Sequence, residues 1–99
     1  MLRRFAAIFF LTLAAIGAAA PVKLRLSVWD GDEALNVVKR IVKEFERENP
    51  GVEVALETFP DYALYHQKML VQYASNAAPD VAMMDMGHFQ ALAKRKAIL

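Results

Sequence analysis

The chain has 99 residues, 57% of them hydrophobic, with 12 Lys and Arg against 11 Asp and Glu for a formal net charge of +1. That length buries one small core at most, and near-neutral charge removes the electrostatic case for nucleic acid as a partner. The absence of cysteine excludes a disulfide framework and a Cys-based zinc site.

Met1 to Arg4 carries two arginines, Phe5 to Ile16 is apolar apart from Thr12, and Gly17 to Ala20 is a run of small residues. Positive, apolar and small segments in that order are the pattern of a cleaved secretory signal peptide, placed at 1–20. The uncharged stretch Phe5 to Val22 approaches the length of a membrane span, but its Gly, Ala and Pro ending favours cleavage. Pro21 has a fixed φ and no amide hydrogen, so the cut is expected near Ala19. Without a cysteine to carry lipid, the expected product is soluble and periplasmic. The body, 21–99, loses Arg3 and Arg4 and keeps 10 basic residues against 11 acidic ones.

Val22 to Trp29 alternates, with Val22, Leu24, Leu26 and Val28 on one face and Lys23, Arg25, Ser27 and Trp29 on the other, the period of a strand. Asp30 to Glu33 forms an acidic loop in which Asp30 and Glu33 stand at capping-box spacing. Leu35, Val38, Ile41, Val42 and Phe45 then mark the inner face of a helix that Asn49, Pro50 and Gly51 end. A second strand follows, with Val52, Val54 and Leu56 alternating against Glu53, Ala55 and Glu57. Phe59 to Asp61 turns the chain, and Asp61 caps a helix reaching about Ala77 with Tyr62, Tyr65, Met69, Leu70 and Tyr73 inward. Asn76 can take the left-handed backbone, and Pro79 blocks continuation. The apolar run Val81 to Met84 predicts a strand covered on both faces. Phe89, Leu92 and Ala93 mark a third helix, with Lys94, Arg95 and Lys96 suiting its negative end.

Strand and helix alternating three times predict an α/β fold, a three-stranded parallel βαβαβα unit with helices on both faces. Three parallel strands with open edges make a small sheet, and Leu99 ends the sequence in mid-pattern. The expectation is an incomplete lobe.

The segments LSVWDGDE (26–33), VKEFERENPGVEV (42–54) and APDVAMMD (78–85), followed by Phe89 to Leu99, carry a resemblance in their order and spacing. They resemble the N-terminal part of the extracellular solute-binding proteins of bacterial ABC importers, most closely the sugar-binding, maltose-binding-protein-like branch. The resemblance implies the start of lobe one of a two-lobe periplasmic-binding-protein fold that traps a solute in its cleft. It covers the whole body but only about a fifth to a quarter of such a protein's usual chain length. Its implied partners are a small-molecule solute, a sugar foremost, and the permease subunits in the inner membrane, with the full-length protein a monomer. Asn76 and Lys96 stand where the family often has glycine, a departure that costs about 1 kcal/mol at Lys96 if its backbone is left-handed.

Open parallel sheets bind ligands beyond the carboxyl ends of their strands. Three loops lie there: Trp29, Asp30, Asp32 and Glu33; Phe59 and Asp61; and Asp85, Met86 and His88. Carboxylates accept hydrogen bonds from sugar hydroxyls, and an aromatic face covers the apolar side of the ring. The candidate ligand-binding residues are therefore Trp29, Asp30, Asp32, Glu33, Asp61 and Asp85. Each has a structural alternative: Asp30, Asp32 or Asp85 as a helix cap, Trp29 as core packing. Tyr62, Tyr65 and Tyr73 read as an aromatic stripe packed on the sheet, and His66 and His88 as separate surface histidines rather than metal ligands.

No nucleophile elbow, phosphate-cradling loop or zinc motif is present, so no enzyme activity, cofactor or metal is expected. The alternatives are a truncated product without autonomous activity, and a secreted glycosidase pairing two of Asp30, Asp32, Asp61 and Asp85.

Overall fold

The alternation along the first strand is realised by a register in which three hydrophobic pairs meet on one face. A computed structural model describes residues 19–98; the signal peptide expected at 1–20 lies outside them except for Ala19 and Ala20. Strand β1 (Val22–Val28) runs parallel to β2 (Val52–Thr58), with Val22, Leu24 and Leu26 opposite Val52, Val54 and Leu56. Strand β3 (Val81–Ala82) pairs in parallel with the other edge of β1, giving the order β2-β1-β3. Three helices complete the alternation: α1 (Asp32–Glu48), α2 (Tyr62–Ala74) and α3 (Met86–Lys94). The α/β class and the βαβαβα order are those expected.

The chain moves from β1 outward to β2, then back across to β3. Right-handed crossovers in opposite directions place their helices on opposite faces. Accordingly Val38, Ile41 and Val42 of α1 lie over Leu26 and Val28, whereas Tyr65 and Met69 of α2 and Leu92 of α3 are buried on the other side.

Two local expectations are corrected. Gly31, not Asp30, is the N-cap of α1, its carbonyl accepting from Leu35 N at 2.8 Å with no side-chain cap bond. The predicted strand Val81 to Met84 shrinks to two residues and is not covered on both faces, because β3 is an edge and Val81 is 54% exposed. The same open edge leaves Ile41 exposed on the rim of α1, above a 320 Å³ apolar groove bounded by Leu26, Val38, Val42 and Met83. Helix α2 stops at Ala74, three residues short of expectation. Ser75 closes it by donating from Oγ to Val71 O at 2.8 Å, and Asn76 then turns left-handed at φ 57°. Lys96 is left-handed too, at φ 54°.

A polar clamp joins the sheet on the α2 side. The Glu57 carboxylate accepts from Arg25 Nε and from Ser27 Oγ, both at 2.7 Å, and ion-pairs with Arg25 Nη2 at 2.7 Å. Arg25 Nη1 donates to Ala77 O at 2.9 Å, and Arg25 N to Asp80 Oδ2 at 2.8 Å. Strands β1 and β2 are thereby tied to the segment that leads into β3.

Candidate functional site

The connection after β1 leads to α1 on one face, while the connection after β3 leads to α3 on the opposite face. Between these neighbouring strands the chain diverges, and a crevice opens at their carboxyl ends where α/β sheets place ligands. Trp29 stands at the end of β1 and Asp85 three residues after β3, so the topology brings both to this crevice.

Trp29 packs on Tyr62 with ring centroids 5.1 Å apart and on Tyr65 at 4.9 Å. Phe59, at the end of β2, meets Tyr65 edge-on at 5.4 Å. Tyr65 is 2% exposed, and its hydroxyl donates to Met83 O at 2.5 Å with Ser27 O at 3.2 Å. Loss of hydration pushes this phenol up to about 12, with the nearby Tyr73 and Glu57 acting in the same direction.

Asp85 does two things at once. Its Oδ1 accepts from His88 N at 2.8 Å and caps α3, and its Oδ2 lies 2.7 Å from His88 Nδ1. The Tyr62 hydroxyl donates to the same Oδ2 and also touches His88 Nδ1. The bond from His88 N, then that from the His88 ring, hold the carboxyl below the usual Asp range. His66 rests against His88, its pKa lowered by burial first and by the His88 charge second.

Trp29 and Asp85 are the two predicted residues that line one common cavity, with Tyr62, Tyr65, His66 and His88 among its other walls. The cavity is about 10 Å³, room for about one water, so the aromatic rings close on one another. Asp61 caps α2 through Leu64 N at 2.8 Å. Asp32 and Glu33 are exposed in the first turn of α1, where negative charge suits the helix dipole. Asp30 is half-buried beside Trp29.

Sequence reasoning does not find Tyr62 and His88 as partners of Asp85, or His66 as the neighbour of His88. The inward stripe expected of α2 includes Tyr62, yet this residue is 37% exposed. Its spacing of four from His66 on α2, and the spacing of three between Asp85 and His88, are the signals that point them at one another. Among the described residues no three His, Cys, Asp or Glu are arranged to hold a metal ion, and no helix is long and apolar enough to cross a membrane.

No curated protein and no solved structure matches the chain. Residues 30–99, from the Asp30 loop through α3, match the sequence profile of the bacterial extracellular solute-binding proteins. Membership implies a small-molecule solute and a transporter permease as partners, in a family that is typically not enzymatic. With an α/β unit of the expected order and a profile spanning most of its length, the chain belongs to the bacterial extracellular solute-binding protein family.

Proposed function

We propose that the chain supplies the first part of the solute-binding lobe of an ABC importer, that its solute is a sugar or short oligosaccharide, and that residues 1–20 direct it to the periplasm. The observation that carries the sugar reading is the meeting of Trp29, Tyr62 and the Asp85 carboxylate at the crevice between β1 and β3. An aromatic edge and an ionised acceptor side by side match the apolar face and hydroxyl donors of a sugar ring. Asp30, Asp32 and Glu33 extend the acceptor rim along the β1 loop, and Asp61 stands at the β2 end. Trp29 and Asp85 make the principal contacts.

The open β3 edge and the apolar groove beside Ile41 support a lobe that continues beyond this unit, since parallel sheets are normally covered on both faces. Trp29 is the single tryptophan, so its emission reports on the site. The full chain, titrated with mono- and oligosaccharides to about 10 mM, should show a saturable change that Asp85→Asn weakens. A response to polyamines or amino acids and none to sugars would overturn the solute class.

A further inference from the structure

His66 on α2 and His88 on α3 meet across the seam between two helices that share one face of the sheet. Tyr62 lies flat on His66, with centroids 5.8 Å apart and planes 10° from parallel, while its hydroxyl reaches Asp85 and His88. We propose that the His66–His88 pair is a proton-operated latch: neutral, it holds α3 against α2 over the closed cavity, and doubly protonated, it parts them and exposes Trp29.

Asp85 already accepts from His88 N in its own turn and from the Tyr62 hydroxyl, so its Oδ2 is an acceptor and His88 Nδ1 is the donor to it. His88 Nε2 is then the ring's remaining acceptor, and a charge on this ring would face the Asp85 carboxylate 2.7 Å away. A second proton on His66 faces an imidazolium. The titratable groups lining the cavity are Tyr62, Tyr65, Asp85 and the two histidines, and Asp85, the one carboxylate, is already committed to His88. Tyr65, pushed up to about 12, stays neutral throughout. Burial and the facing His88 already lower the His66 pKa, so the second charge arrives only on acidification. Helix α3 is nine residues long and has Leu92 as its buried side chain, so little packing opposes its displacement.

Emission from Trp29, which lines the same cavity, is followed in the full chain from roughly pH 8 to 5. The expected result is a red shift that follows the protonation of His66, with far-ultraviolet dichroism constant. His66→Gln removes the second charge and should abolish the shift. His88→Gln should raise the His66 midpoint, read from its C2-proton resonance, toward the ordinary 6.5. Flat Trp29 emission, a shift undiminished in His66→Gln, or a His66 midpoint unmoved by His88→Gln would each overturn the latch.

Discussion

Replacing Glu57 by Gln removes one charge from the clamp while keeping its shape. Glu57 takes bonds from Arg25 Nε and Ser27 Oγ at 2.7 Å and an ion pair from Arg25 Nη2 at 2.7 Å. Three dry, independent charge-assisted bonds would together exceed about 4 kcal/mol. Solvent reduces that figure, because the Arg25 side chain is 37% exposed and that of Glu57 28%. Gln also still accepts one bond. The expected loss is about 1–2 kcal/mol at neutral pH, read by urea unfolding followed by circular dichroism. Desolvation pushes the Glu57 carboxyl up, but the bonds from Ser27 and Arg25, the Arg25 charge and Gln72 outweigh it and hold the pKa below 4.5. A depressed folded pKa contributes stability that is present above the unfolded value and lost as the pH falls through the folded one. The gap between Glu57→Gln and its parent should therefore be full at neutral pH and close as the pH drops below 4.5. A loss under about 0.3 kcal/mol at neutral pH, or an equal loss under strong acid, would refute the clamp.

Tyr65→Phe deletes the donor that Met83 O accepts at 2.5 Å inside the core, and should cost about 1–2 kcal/mol by the same urea assay. That cost should not vary with pH across the neutral range, since the phenol ionises only near about 12. Lys96→Gly relieves a left-handed backbone at φ 54°, and should raise the thermal midpoint by about 4 °C for about 1 kcal/mol. Asn76→Gly, at φ 57°, should gain much less, because Asn tolerates this conformation where Lys does not.

Periodicity made the elements legible wherever it was long and unbroken. The seven residues of β1 and the seventeen of α1 follow their two- and 3.6-residue patterns nearly end to end. It failed at β3, where a four-residue apolar run reads as a buried strand but occupies a sheet edge. Short apolar runs state that burial is needed, not which neighbour supplies it. In the site, the strand-end rule located Trp29 and Asp85, since topology alone places them. Carboxylates at Asp32, Glu33 and Asp61 were legible only as acidic loop residues, and their work in the structure is at helix starts. The contact of His66 with His88 is hidden because it depends on how α2 and α3 pack, the two rings lying 22 positions apart in sequence but side by side in space.

Asp85 reaches the site by a route other than the sheet. Ladder pairing of β3 ends at Ala82, opposite Ser27. Beyond it the chain is held by Met83 N donating to Ser27 O at 2.9 Å and by Met83 O accepting from Tyr65. The phenol that receives Trp29 on its face thus also anchors, through its hydroxyl, the backbone two residues before Asp85. One buried side chain sets the separation of the aromatic and the acceptor, so the spacing of the site is fixed by the core rather than by its loops. Glu57 supports the same arrangement from below, because it accepts from the hydroxyl of Ser27, the residue whose backbone carbonyl takes the Met83 bond. Rigidity concentrated beneath the crevice leaves α3, with its single buried leucine, as the element free to move.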